Sequence, residues 1–535
     1  MLFKNWKLGL WLMALSFVVL TLPSCRRGAT QNDALTMVPA EASMVIAIQP
    51  QRLLDKADFA SVQNMDFYKD AVRKATEQSA ALGELLKNPA TSGIDLQKPA
   101  YFFALPDFKD ENGGKPTLNG LVFSLSDEQK FADFAQKANI GSVEKLTGAL
   151  SLVAKDDNIL AWQGKSAFVG NVLPAAQKTA IPALFEGGKK SIVKDAKAAK
   201  MIRSEHDISL WLSTNQLAEN FKPDIRMSML GITKEALKDN FITGFADFEK
   251  GVMKASSTFD LQKDLVKDFN LFFKDKPTTQ FASLLPADNV SSVAVMALDM
   301  KGINQVLKEK NLNGLINMQM GRIGLTSDDI ARAIGGDLMI STIATPDQKA
   351  VDLLVGLSID DKATIEKMLS LAVTSGTLEK SGDMYLAKGV DKLFSDAQKG
   401  MGSGVNPQAT PARIYLTDKV LVFCSNGSIV TQIASGKGLG YQGEIATSLS
   451  QNIINLFFDY TKLKSVSPSF AGDHIRDYRA TINRTQADAT VHTTDANKNA
   501  LKALIEQADA SYKANKENRE TTVSETVQTP PQQGH

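Results

Sequence analysis

Leu285–Leu307 reads LPADNVSSVAVMALDMKGINQVL, and with it the chain begins a second time. Val38–Leu54, VPAEASMVIAIQPQRLL, has the same order of parts: an apolar residue, Pro-Ala, an acid, a β-rich run and a helical start. Pro39 recurs as Pro286, Ala40 as Ala287 and Glu41 as Asp288, at an offset of 247 residues. Further blocks return in the same order. GLVFSLSDEQKFADF at 120–134 is matched by LLVGLSIDDKATIEKM at 353–368, SAFVGN at 166–171 by KVLVFCSN at 419–426, and ISLWLSTNQL at 208–217 by INLFFDYTKL at 454–463.

Within the first copy, β-branched and aromatic runs predict strands at 43–49, 100–105, 121–125, 150–154, 158–163, 166–170 and 208–212, with a closing pair near 241–249 and 252–260. Helical spacing of apolar residues predicts helices over 59–87, 127–138, 172–184, 190–203, 232–239 and 262–273. Ser126 with Gln129 reads as a capping box, and Asp360 as the matching cap in the second copy. The closing strands and helix return over 478–494 and 496–510. Short, adjacent strands with helices between them indicate an α+β fold. The expectation is two tandem repeats of one unit, 38–275 and 285–513, each a mostly antiparallel sheet with helices packed on one face of it. The polar tail 514–535, KENRETTVSETVQTPPQQGH at its end, is expected to be disordered.

The N-terminus carries a different message. In MLFKNWKLGLWLMALSFVVLTLPSC, Lys4 and Lys7 precede an apolar run, Leu8–Leu22. That run is short for a membrane span, which needs about 20 residues, and suits a signal peptide. Leu22-Pro23-Ser24-Cys25 resembles the lipobox of bacterial lipoproteins, with Pro23 a mild departure from the commonest pattern. The resemblance implies cleavage after residue 24 and acylation of Cys25, with 25–37 a lipidated polar tether. Each buried acyl CH₂ contributes about 0.8 kcal/mol, so two or three chains hold a soluble body at a membrane.

Composition narrows the function classes. The chain has 535 residues, too many for a single core, with 60 Lys+Arg against 59 Asp+Glu. Without residues 1–24, and so without Lys4 and Lys7, the balance is 58 to 59. No basic footprint for nucleic acid is present at that level. Of the 2 cysteines, Cys25 is assigned to lipid, so Cys424 in LVFCSNGS reads as a buried, inert thiol.

The 4 histidines, His206, His474, His492 and His535, form no HExxH and no ligand-spaced pair, so no metal site is expected. His206-Asp207 reads as a polar pair opening a strand. Gly438–Gly443 matches GxGxxG but follows a helix, where a dinucleotide loop needs a strand before it. Gly187–Ser191 lies at the equivalent place in the first copy, and both read as loops, as does Gly400–Gly404. Asp107–Lys115 reads as an exposed turn rather than a calcium loop. The Met318–Met320 and Met227–Met229 pairs read as core filler. Lys189, Lys190, Lys194, Lys197 and Lys200 form a basic stripe that could meet phosphate-bearing head groups, or simply be solvated.

Taken together, the lipobox, the tether, the opening DALTMVPAEASMVIAIQPQRLL and the duplicated body resemble an uncharacterised family of Bacteroidetes lipoproteins. The resemblance implies location and architecture and brings no activity with it. Surface-exported lipoproteins of that group tend to carry acids after the cysteine; Arg26-Arg27 stand there instead, which points to the periplasmic face of the outer membrane. The sequence therefore reads as a non-enzymatic envelope lipoprotein. It has no cofactor and no catalytic residue, its membrane contact is the lipid on Cys25, and its partner is an envelope protein or a glycan, bound in the cleft between the repeats. Two alternatives stand beside this: a structural or assembly component of an outer-membrane complex, and a hydrolase with an unrecognised carboxylate pair.

Overall fold

The structure is a computed structural model and describes residues 33–105, 118–139, 141–146, 148–172, 174–187, 190–215, 218, 233–321, 324–345, 351–388, 412–437, 439–441, 446–463 and 473–527. It is an α+β protein in which all strand pairings given below are antiparallel. The chain divides into two compact units: Met1–Lys222, Leu237–Asp260 and Asp495–His535 form one, and Pro223–Ala236 and Leu261–Thr494 the other.

In the first unit the strands are β1 (Met44–Ile48), β2 (Ala100–Ala104), β3 (Asn119–Ser124), β4 (Val143–Lys145), β5 (Ser151–Lys155), β6 (Asn158–Gln163), β7 (Ser166–Asn171), β8 (Ile208–Ser213), β9 (Phe241–Phe248) and β10 (Val252–Asp260). They pair in the order β4-β5-β6-β7-β3-β2-β1-β8-β9-β10. Helices cover both faces, not one. Against one face lie α1 (Pro50–Ala57), α2 (Asp66–Gln78), α3 (Ala80–Lys87) and α4 (Glu128–Lys137), burying Leu54, Leu85, Phe131 and Trp162. Against the other lie α5 (Pro174–Glu186) and α6 (Ala196–Ile202), burying Leu35, Phe103, Phe168 and Ile181. The cause is visible in β3 and β7: Leu121, Val122 and Phe123, and Ala167, Phe168 and Val169, are buried on successive positions rather than alternate ones.

The expected tether is partly core. Ala34–Met37 form a 3₁₀ turn that buries Ala34, Leu35 and Met37, so only its earlier part is available as a linker. The cap of α4 is Asp127, which accepts from the Lys130 amide at 3.0 Å, while Ser126 donates to Gly93. The cap thus falls one residue later than expected, and with Lys130 at N3 it is a single N-cap bond rather than a capping box. Residues 234–239, expected as helix, are a turn.

The second unit holds β11 (Val290–Ala297), β12 (Ile334–Ala344), β13 (Val351–Ile359), β14 (Leu378–Ser381), β15 (Met384–Ala387), β16 (Arg413–Leu416), β17 (Val420–Cys424), β18 (Ile454–Asp459), β19 (Ile475–Ile482) and β20 (Gln486–Thr493). Their order is β14-β15-β16-β17-β13-β12-β11-β18-β19-β20, which matches the first sheet position for position. Its helices are α7 (Lys263–Phe272), α8 (Met300–Glu309), α9 (Asn313–Met320), α10 (Ser327–Ala333), α11 (Lys362–Thr374) and α12 (Gly427–Ser435). Asp361, not Asp360, caps α11. Each unit also ties down its own Pro-Ala opening through a single bridge, Pro39 to Ser191 in the first and Pro286 to Leu439 in the second.

The boundaries 38–275 and 285–513 follow the order of the chain; packing does not. Residues 263–275 belong to the second unit: a Cβ on Gly302 would stand 1.9 Å from the Leu271 carbonyl, and Lys274 N bonds Ala297 O at 3.0 Å. Conversely the last helix, α13 (Ala500–Val527), belongs to the first unit. It lays Leu501 and Ile505 against the core of α1–α4. Asn499 donates to the Phe248 carbonyl at 3.0 Å, Gly251 N bonds Lys498 O and Ala500 N bonds Glu249 O. The helix also takes in 514–527, where disorder was expected. Residues 528–535 lie outside the described residues. No helix among the described residues is long and apolar enough to cross a membrane.

Candidate binding site

Among the described residues an open groove of about 610 Å³ lies on the first unit, along α2 and the end of α3. Lys69, Val72, Arg73 and Thr76 face it at helical i, i+3, i+4 and i+7 spacing, and Lys87 closes it from α3. Beside it α3 packs closely on α2: a Cβ on Gly83 would lie 1.9 Å from Oγ1 of the lining residue Thr76, so only glycine lets the two helices come so near. At its base the Tyr68 hydroxyl donates to the Leu86 carbonyl at 2.6 Å, and burial pushes that phenol's pKa up. Arg73 is braced by Glu77 at 2.8 Å and Asp70 at 3.2 Å. The volume falls within the usual range for small-molecule sites, and the lining offers three cations, one acid and an apolar floor.

Polar clusters elsewhere hold the fold. His206 and Asp207 are not a pair. His206 Nδ1 lies 2.6 Å from Asp247 Oδ2, and its ring stacks on Phe245 at 3.8 Å. Asp207, fully buried, receives Lys56 Nζ at 2.6 Å and the Phe248 amide at 2.7 Å. Burial would raise the Asp247 carboxyl, but the Asp207 amide and His206 outweigh it and hold its pKa below the usual value. A carboxylate on Nδ1 is the arrangement that orients an imidazole for proton transfer. Here the contacts of Asp247 and Asp207 with His206, Lys56 and the Phe248 amide latch β8, β9 and α1 together.

The second unit has its own centres. Asp477 receives Arg476 Nε at 2.7 Å, Arg479 Nε at 2.8 Å and His492 Nδ1 at 2.7 Å. Asp337 is fully buried, paired with Lys274, and accepts from the Thr278 and Thr279 amides at 2.8 Å each. Burial would raise both carboxyls; the cations and amide donors outweigh it and lower both. Asp352 goes the other way: burial raises its pKa, with the Asn426 amide at 2.9 Å as its partner. Cys424, beside it, is fully buried and its thiol is pushed up to about 12 by burial. It is the inert thiol its apolar strand suggested.

The other sequence candidates divide as follows. Cys25, Asp107–Lys115, Gly400–Gly404 and Met227–Met229 lie outside the described residues. Of the GxGxxG stretch, Leu439–Tyr441 are described; Gly440 N bonds Leu285 O at 3.0 Å, so the loop is the clamp on the second opening. Met318 is 64% exposed, not core filler. No group of three or more His, Cys, Asp or Glu among the described residues is placed to hold a metal. The His–Asp contacts and the groove had no local signal, because each is made by residues far apart in the chain or by a close helix approach.

A family model described as a domain of unknown function (DUF4836) matches residues 35–320, more than half of the chain. The chain belongs to this family. The DUF4836 match begins at the buried 3₁₀ turn and takes in the groove, the His206 cluster and α7–α9. No curated protein matches the chain. A solved structure, crystal form I of TP0453, aligns at 10% identity over 43% of this chain and 79% of that chain, with a TM-score of 0.25, a likeness too slight to bear on the fold.

Proposed function

We propose that this DUF4836 protein is a lipid-anchored, non-enzymatic binding module of the cell envelope, on the periplasmic face of the outer membrane, that takes its ligand in the α2–α3 groove. The observation that carries the location is the N-terminal segment: a positive start, an apolar run of signal-peptide length and Leu22-Pro23-Ser24-Cys25. Support for binding comes from how the buried acids are used. Asp207, Asp337 and Asp477 each spend their charge on cations of the fold, whereas Lys69 and Lys87 at the groove have no ion-pair partner among the described residues. A glycan or protein segment bearing acidic groups suits that lining. The equal strand orders and the repeated openings support reading the two sheets as one duplicated unit.

Fractionation of cells making tagged wild type or Cys25→Ser tests the location. Wild type should sediment with membranes and the variant should be released; equal distribution of the two would contradict the anchor. Binding of an acidic-glycan panel to Lys69→Ala/Lys87→Ala tests the groove. Loss of a wild-type signal is expected, and an unchanged signal would move the site elsewhere.

A further inference from the structure

The lysine stripe and the point where the tether enters the fold meet on one side of the first unit. Asp33, the first described residue, accepts from Arg203 Nε at 3.0 Å, just beyond the end of α6. The Leu35 carbonyl accepts from Ser191 Oγ at 3.1 Å, the Ala40 amide bonds the Lys190 carbonyl at 2.8 Å, and the Ile192 amide bonds the Val38 carbonyl at 2.9 Å. The chain thus enters the body along the segment that carries the lysines.

The cations there are mostly uncommitted. Lys190, Lys194, Lys197, Lys200 and Arg203 are all exposed, while Ala198, Ala199 and Ile202 turn inward to the core. Lys197 is engaged by Asp260 and lies 5.4 Å from the Phe241 ring centre, and Arg203 is engaged by Asp33. Lys190, Lys194 and Lys200 have no ion-pair partner among the described residues. Asp195 is exposed as well, but it is occupied as the cap of α6, accepting from Lys197 N and Ala198 N. Lys189 lies outside the described residues.

Covalent geometry adds a distance limit. Seven residues lie between Cys25 and Asp33, so eight Cα–Cα steps join them, and a chain of that length spans at most about 28 Å. If Cys25 bears lipid, the side of the first unit where Asp33 enters is held within that reach of the bilayer, and that side is the lysine side.

We propose that Lys190, Lys194 and Lys200 dock the first unit onto an anionic lipid surface, so that the anchor sets the distance from the membrane and the lysines set the orientation. This rests on the reading of Cys25 as the anchor. A lysine near an anionic surface is worth about a five-fold gain in partitioning, so three act together for about a hundred-fold. Screening at high salt should remove the effect, since the Debye length falls from about 8 Å at physiological ionic strength to about 3 Å at 1 M.

The test uses the full chain from residue 25 with Cys25→Ser, which removes the lipid and leaves only the surface contact. Co-sedimentation is measured with vesicles of phosphatidylcholine alone and with one-third phosphatidylglycerol. Binding to the anionic vesicles, lost at high salt and weakened about a hundred-fold in K190Q/K194Q/K200Q, is expected. A control, K98Q/K137Q/K155Q, should bind as the parent does, and circular dichroism confirms that both variants fold. Equal binding by the two triple variants, or equal binding to neutral vesicles, would overturn the proposal. So would displacement by inorganic phosphate beyond that by chloride of equal ionic strength, which would make the stripe a phosphate-ion site. Because this protein carries no lipid, the result is independent of whether Cys25 is acylated in cells, which fractionation reads separately.

Discussion

Lys502, in the first turn of the last helix, places its Nζ 2.6 Å from Oδ2 of Asp58, which joins the end of α1 to a short helix over Phe59–Val62. The contact joins residues 444 apart in sequence. Lys502, and then Ser61, hold the Asp58 carboxyl's pKa below its usual value. The same helix donates Tyr512 Oη to Asp70 and accepts at Asp509 from the Phe67 amide at 3.2 Å. One end of the chain therefore completes the core that the other end begins.

Gly251 is the point through which that return passes. It has φ of +73°, and a Cβ there would lie 2.8 Å from Ala496 Cα. Gly251→Ala should cost about 2 kcal/mol in urea unfolding of the first unit, combining left-handed strain with displacement of residues 495–500. Gly164→Ala, also at positive φ but facing open space, should cost about half as much.

Asp337 staples the segment 274–279 to β12. Asp337→Ala takes the carboxylate from Lys274, which keeps only the Gly335 carbonyl at 2.9 Å, and leaves two amides unpaired, so a loss of about 3 kcal/mol is expected, measured by chemical denaturation. Asp337→Asn should lose less, since its remaining oxygen still accepts from the amides.

The pH dependence has two signs. Asp247, Asp337 and Asp477 have lowered pKa values, so their stabilisation is present above the unfolded carboxyl value of about 3.9 and is lost as pH falls through their lower folded values. Asp352 is raised, so its contribution is fully present below the unfolded value and is lost as pH rises through its folded value. Asp352→Asn should therefore flatten the loss on the neutral side and gain about 1 kcal/mol at pH 7 in melts run across that range.

Cys424 should resist a thiol reagent in the native protein at pH 8 and react at once in denaturant, given its burial and raised pKa. Fast native labelling would contradict the packing of β17.

Much of this was written locally. Alternating apolar residues in SMVIAIQ and ISLWLS place β1 and β8 within a residue, and the clustered β-branched runs place the closing hairpins. What was not legible is what packs on what. The amphipathic stripe of α13 says that one face is buried, not which sheet buries it. LVF in β3 and AFV in β7 could be one-faced or two-faced strands until Phe123 and Val122, and Val169 and Phe168, are seen in separate cores. The His206–Asp247 contact spans 41 residues and crosses from one strand to the next, so the tempting neighbour, Asp207, was the wrong partner. Beside the groove α3 meets α2 through a glycine against a threonine, a contact that no periodicity reports.

The central claim is the anchor at Cys25, and mass spectrometry of the N-terminal peptide of protein purified from membranes tests it most directly. The account predicts a peptide that begins at Cys25, followed by Arg26 and Arg27, and carries the mass of two or three acyl chains. A peptide that runs unmodified through Ser24-Cys25, or begins at Cys25 without lipid, would contradict it.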